Sequence, residues 1–299
     1  MSRLLLARGS RGALVETVQR GLGFAKDEVD GIYGGGTEAG VSEFQTKNGQ
    51  NTTGQVDTDS WKAITSLPTP GLFGRALQLT ADFEGHGFTL AQGNFDGAGI
   101  TWGIIGFTLA SGEIPEIVSV INSTNPQLIK SAFDDLAPKL LQIIKASPQK
   151  QIEFADSISI GPKKVRLAEP WRSSFGVFGS FAEVQRLQME RAQSRYFEPA
   201  LATASRLRLT TELGVALCFD VHVQNGGVKN AIETSLRGKN FSSERKLRIA
   251  LANAVADSSR PKYQEDVRSR KLTLATGSGT VHGAKFVTPN WGLDELPAV

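Results

Sequence analysis

Two acidic residues twelve positions apart, Glu84 and Asp96, are the side chains best placed to do chemistry in this chain. Around Leu77, Leu79, Ala81 and Phe83 the sequence has a helix-like pattern that runs to Glu84, where Gly85 and Gly87 stop it, because glycine takes the left-handed conformation of a helix end without strain. Asp96 opens Asp96-Gly97-Ala98-Gly99, a tight-turn composition. The apolar, β-branched run Ile100 to Phe107 follows and predicts a buried strand. A carboxyl at a helix end and another at a turn entering a strand can face each other across a cleft, as cleavage of a glycosidic bond requires. Glu84 must be protonated to act as an acid, and burial among Phe83, Phe88 and Trp102 is expected to favour its neutral form. Asp96, held by turn amides and Thr101, is expected to stay ionised and take a proton from water. Carboxyls roughly 6.5–9.5 Å apart would invert the anomeric centre, and a separation near about 5 Å would retain it.

The rest of the composition excludes other chemistries. Cys218 is the single cysteine, which rules out an internal disulfide and a cysteine-rich metal site, and its apolar surroundings read as core. His86, His222 and His282 lie far apart without metal-ligand spacing, so no cofactor is expected; His86 is close enough to Glu84 to touch substrate. A net charge of +3 with no block of arginine and lysine argues against nucleic acid. No apolar run reaches the roughly 18–20 residues that span a bilayer, so stable membrane insertion is not expected. The apolar block at Leu4 to Ala7 is shorter than the core of a secretory signal, which predicts synthesis in a cytoplasm without an export tag.

Elements that position the acids are mostly helical. Leu14, Val18 and Leu22, then Val41 and Phe44, then Trp61 and Ile64 mark three short helices in residues 1–68. Leu67-Pro68-Thr69-Pro70-Gly71 cannot continue a helix, which puts a linker at 69–71 and a second domain at 72–299. There, helical spacing recurs from Glu113 to Ile121, Leu128 to Ala146, Gln149 to Ile160, Phe181 to Arg206 with a break at Pro199, Glu212 to Gln224, Glu244 to Asp257 and Lys262 to Ala275. Residues 162–178 and the tail from Gly277 read as irregular. The predicted class is mainly α, a small three-helix domain followed by an α+β domain with a small sheet.

Two resemblances sharpen these expectations. Arg11-Gly12 with Val15, Val18 and Gln19, then Asp30-Gly31-Ile32-Tyr33-Gly34, Thr37, Val41, Phe44-Gln45 and Gly54-Gln55-Val56-Asp57 before Trp61, resemble the peptidoglycan-binding domain found beside many cell-wall hydrolases. The likeness implies binding to bacterial peptidoglycan, with Tyr33, Thr37 and Gln45 as candidate contacts around the turn that opens the second helix. Asp96-Gly97-Ala98-Gly99-Ile100-Thr101-Trp102-Gly103-Ile104-Ile105-Gly106-Phe107 resembles the signature of the chitosanases, a lysozyme-superfamily group of helical glycoside hydrolases. That likeness implies Glu84 as general acid, Asp96 as general base and Thr101 as a holder of the attacking water. It also implies Glu113 as a grip on the sugar, Trp102 beside the substrate and Asp220 as structural support through arginines.

The chain departs from the chitosanase pattern in three places. Its Glu84–Asp96 segment is several residues short, Ala98 stands where an arginine is common, and Glu113 replaces an aspartate. With the amino-terminal module, these departures point toward murein, which shares the β-1,4-linked amino-sugar backbone. The expected protein is a monomeric endolysin, a muramidase made in the host cytoplasm, acting in the periplasm or wall and released by a holin-type system. A chitosanase, a lytic transglycosylase, an injected effector and an inactive murein-binding protein are the alternatives.

Overall fold

Short apolar runs separated by glycine turns build the amino-terminal module. In the computed structural model, which describes residues 2–85 and 87–298, helices Ala13–Gly21, Gly35–Lys47 and Thr58–Thr65 enclose a core of Leu5, Leu6, Val15, Val18, Tyr33, Val41, Val56, Trp61 and Ile64. The third helix starts where it does because Asp57 accepts hydrogen bonds from the backbone N–H groups of Asp59 and Ser60, satisfying donors that a helix start leaves open. One element has no counterpart in the helical periodicity: strand Leu4–Leu6 pairs antiparallel with Val56–Asp57. The proline segment after the module is pinned, since Trp61 Nε1 donates to the Pro68 carbonyl at 3.0 Å. Helix Leu72–Glu84 then begins at once.

The chain forms two compact units, Met1–Phe83 with Ser194–Val299, and Glu84–Gln193. The first unit therefore joins the amino-terminal module to the carboxyl-terminal helices. Glu212, 3% exposed, holds Arg75 at 2.6 Å and is also paired with Arg3. Leu14 N donates to Gln78 Oε1 at 3.0 Å, and Gly12 before it sits at φ +100°, a backbone region that favours glycine.

At the centre of this unit is helix Glu212–Asn225, buried without a break from Glu212 to Val221. Helices Glu244–Asp257 and Gln264–Thr276 also belong to it, as does a hairpin of Ser278–Val281 with Ala284–Val287 in the tail expected to be irregular. The expected break at Pro199 falls earlier. A π-turn spans Gln193–Phe197 and runs directly into helix Glu198–Leu207, with Pro199 in its first turn. Among the described residues no helix is long and apolar enough to cross a membrane.

The second unit packs helices around an aromatic core. Trp102, Phe133, Phe175 and Phe178 are buried together, with ring centroids 5.1–5.7 Å apart. Helix Trp171–Ser180, which carries two of these rings, lies in the stretch expected to be irregular. Ile100 to Phe107 is not one strand. Strands Ala91–Gln92, Thr101–Trp102 and Phe107–Thr108 form a three-stranded antiparallel sheet, and Gly103 and Gly106, at φ +88° and +73°, turn the chain between the last two. Apolar content alone conceals such a turn, because Thr101, Trp102 and Phe107 on either side of it are all buried.

Candidate active site

Glu84, Asp96, Thr101 and Glu113 all belong to the second unit. Glu84 is the half-buried last residue of helix Leu72–Glu84, and Gly85 at φ +64° ends the helix behind it. A carboxylate at a helix carboxyl terminus faces the negative end of the helix dipole, an unfavourable place for a merely structural acid. His86 lies outside the described residues.

Asp96 is exposed on the loop between the first two strands of the sheet. Its Oδ1 accepts from Ala98 N at 3.0 Å, so the turn is closed from within, with Gly97 and Gly99 both at φ +90°. The expected bond from Thr101 is absent. Thr101 is 5% exposed, and its Oγ1 is buried with no hydrogen-bond partner among the described residues. A buried hydroxyl left unpaired is destabilising, and this one has bonding capacity that no described residue uses.

Thr101 pairs across the ladder with Thr108, which puts both side chains on one face of the sheet. The Thr108 hydroxyl is hydrogen-bonded to Ser111 Oγ, which donates to Glu113 Oε2. Glu113 is 8% exposed in the first turn of helix Glu113–Thr124, where a negative charge suits the dipole. The implied sugar grip is thus nearly buried and tied to the same sheet face as Thr101.

The residue that builds the Asp96 loop was not legible beforehand. Asn94, 8% exposed, accepts from Gly99 N at 2.8 Å and donates to Asp156 Oδ1 at 2.7 Å, while Asn94 N donates to Ser159 Oγ. Lys164 pairs with Asp156 at 2.7 Å, and its hydrogen bond, then that of Asn94, holds the Asp156 carboxyl below its ordinary range. The loop admits no side chain at Gly93, where a Cβ would meet the Lys164 carbonyl at 2.3 Å. An asparagine two residues before an Asp-Gly turn was the available signal; its distant partners could not be inferred from local spacing.

Four residues expected to contact substrate are buried and bonded within the protein. Trp102 is fully buried, donates from Nε1 to the Phe175 carbonyl and stacks on Phe178 at 5.5 Å, so its ring is core. In the module, Tyr33 is 1% exposed and its hydroxyl donates to the Gly54 carbonyl. Thr37 is 2% exposed and bonded to Gln19 and Ile32. Gln45, 1% exposed, receives the N–H groups of Thr53 and Gly54 and donates to the Gln55 carbonyl. Their polar atoms close turns inside the module.

Asp220, in the first unit, is wholly buried between Arg270 at 2.6 Å and Lys271 at 2.5 Å. Burial pushes its carboxyl up, but those two cations outweigh it and hold it below the ordinary range. Cys218 is buried, which raises its thiol to about 12 and leaves no nucleophile there.

Comparison with known proteins decides the family. A model described as glycosyl hydrolase family 46 matches residues 80–252, and one for a peptidoglycan binding domain matches residues 11–64. The chain belongs to glycosyl hydrolase family 46. The match includes Glu84, Asp96, Thr101, Glu113 and Asp220. A chitosanase of Bacillus subtilis (strain 168) is 29% identical over 157 residues, 51% of this chain and 50% of that protein, so the chain spans about half the length of this curated relative.

Two solved structures share the fold. A family 46 chitosanase from Gynuella sunshinyii in complex with chitotetraose superposes with a TM-score of 0.53 at 19% identity, covering 74% of this chain and 98% of that one. Native chitosanase from Bacillus subtilis MY002 gives 0.52 at 19% identity, over 71% and 96%. The protein is thus a family 46 glycoside hydrolase fold preceded by a peptidoglycan-binding domain, mainly helical with small sheets.

Proposed function

We propose that this family 46 protein hydrolyses β-1,4 linkages between the amino sugars of bacterial murein. Glu84 gives its proton to the glycosidic oxygen as the bond to the anomeric carbon breaks. Asp96 takes a proton from the water that attacks that carbon, and the Thr101 hydroxyl holds this water. Glu113 grips the sugar chain near the same sheet face. Water attack opposite the departing oxygen inverts the anomeric centre. The observation that carries the choice of murein is the peptidoglycan binding domain at residues 11–64, which shares one compact unit with the carboxyl-terminal helices through the Arg3–Glu212–Arg75 cluster.

Mass spectrometry of purified sacculi after digestion tests the reading. Reducing amino-sugar ends are expected; anhydro ends would mean a lytic transglycosylase, and no soluble product would sink the proposal. Glu84→Gln is expected to lower the rate by at least about 100-fold, the scale of general acid catalysis, with the fold intact by circular dichroism. Unchanged lysis would mean that the module alone acts. The second reading is hydrolysis of chitosan, favoured by the relative named chitosanase; parallel reducing-end assays on chitosan and murein separate the two.

An endolysin role, with a monomeric enzyme reaching the wall through a holin-type membrane hole, belongs to the same proposal. Expression in a bacterial host with and without a hole-forming protein tests it, and lysis independent of that protein would refute it.

A further inference from the structure

Away from the residues assigned to catalysis, the first unit contains an open cleft of ≈ 620 Å³ at the ends of helices Glu198–Leu207 and Asn230–Arg237. It is lined by Arg206, Arg208, Arg237 and Lys239, with the half-buried ring of Phe241 beside them. Two carboxylates accompany these four cations, and both have partners. Glu233 holds Arg206 at 2.7 Å. Glu244 accepts from Thr210 N at 2.7 Å and from the Thr210 hydroxyl at 2.8 Å. The side chains of Arg208 and Lys239 have no hydrogen bond or ion pair among the described residues, and both are exposed.

A structural explanation covers only part of this charge. Arg206 and Arg237 lie in the last turns of their helices, where cations suit the dipole. Arg208 and Lys239 lie beyond those ends. Arg208 occupies the left-handed region, φ 60° and ψ 36°, a position that favours glycine. A bulky cation there lines a cleft of ordinary ligand size. Guanidinium groups bind carboxylates through paired, charge-assisted hydrogen bonds, and a flat apolar ring complements a sugar or peptide face.

We propose that this cleft is a second glycan-binding site that takes the carboxylate-bearing peptide stem of murein. The amino-terminal peptidoglycan binding domain belongs to the same compact unit, so both would engage one polymer. Chitosan, a polycation, would be repelled. The inference rests on the murein reading for its ligand but not on hydrolysis, and binding can be measured without turnover.

The probe is a muramyl tripeptide, a single sugar with no linkage to cut, titrated into the full-length protein and followed by NMR. Saturable binding that weakens as salt rises is expected. Arg208→Gly, which suits the left-handed backbone, combined with Lys239→Gln should weaken it about fivefold, the scale of two exposed ion pairs. The same peptide with its carboxyls capped as amides should bind no better than the double variant does. Equal affinity of the variant and the parent, no saturation, or a preference for short polyphosphate or RNA over the muramyl peptide would each overturn the proposal. A chain that lyses murein yet fails this titration refutes the cleft alone.

Discussion

The two compact units differ in how their acids are held. In the first, Asp220 is enclosed by Arg270 and Lys271, and Glu212 by Arg3 and Arg75, so buried charge is matched by buried charge. In the second, the Thr101 hydroxyl is buried without a partner among the described residues, and Asp96 is exposed on a loop that Asn94 braces. Paired charges define a structure, because removing one partner leaves the other stranded away from water. The Thr101 hydroxyl, which no described residue satisfies, costs stability rather than adding to it. The difference separates residues that hold the fold together from those proposed to react.

The largest test of that contrast is Asp220→Ala. It leaves Arg270 and Lys271 buried without their counter-ion and is expected to lower stability by about 3–5 kcal/mol, read from urea denaturation. A loss below about 1 kcal/mol would mean that the cluster is solvated and the contrast false. Asn94→Ala comes next. It removes the acceptor for Gly99 N and a donor to Asp156, so turnover should fall by about tenfold with a stability loss of roughly 1 kcal/mol. Unchanged kinetics would show that the Asp96 loop needs no such support.

Thr101→Val sharpens the contrast from the other side. Replacing an unpartnered buried hydroxyl by a methyl should leave stability unchanged or slightly higher, while activity falls. A stability loss above about 1 kcal/mol would reveal a bond that the hydroxyl makes in solution.

The smallest expected effect concerns Asp82, one of several buried polar groups of the first unit that, like the Thr101 hydroxyl, lack a hydrogen-bond partner among the described residues. Its Oδ2 is buried, and burial, opposed by the charge of Arg11, raises its carboxyl to about 6. A carboxyl raised on folding favours the native state below its unfolded value of 3.8, and that contribution is lost as pH rises through about 6. Asp82→Asn should therefore raise the urea midpoint at pH 7.5 and leave it nearly unchanged at pH 3.5. Equal shifts at both pH values would refute the assignment.

Much of the fold was legible because local signals carried it. Amphipathic spacing marked most helices, and Leu67 to Gly71 marked the end of the module's last helix. Helix Trp171–Ser180 was missed because it buries Phe175 and Phe178 against distant rings, and its glycines imitate a loop. The short strands were hidden for the converse reason: two paired residues leave no period to detect. At the site, the acids stood out through glycine turns next to them. Asn94 did not, since its role depends on Asp156 and Ser159, more than sixty residues away.

The amino-acid sequence determined the residue types, the helical periods and the glycine turns that expose Asp96 and end the helix at Glu84. These depend on backbone conformation within a few residues. Tertiary structure alone decided which polar side chains would be buried and with what partners. Trp102, Tyr33, Thr37 and Gln45 became core, the module joined the carboxyl-terminal helices through Glu212, and Thr101 lost its expected bond to Asp96. Burial is a property of what packs against a residue from elsewhere in the chain, and no local pattern encodes it.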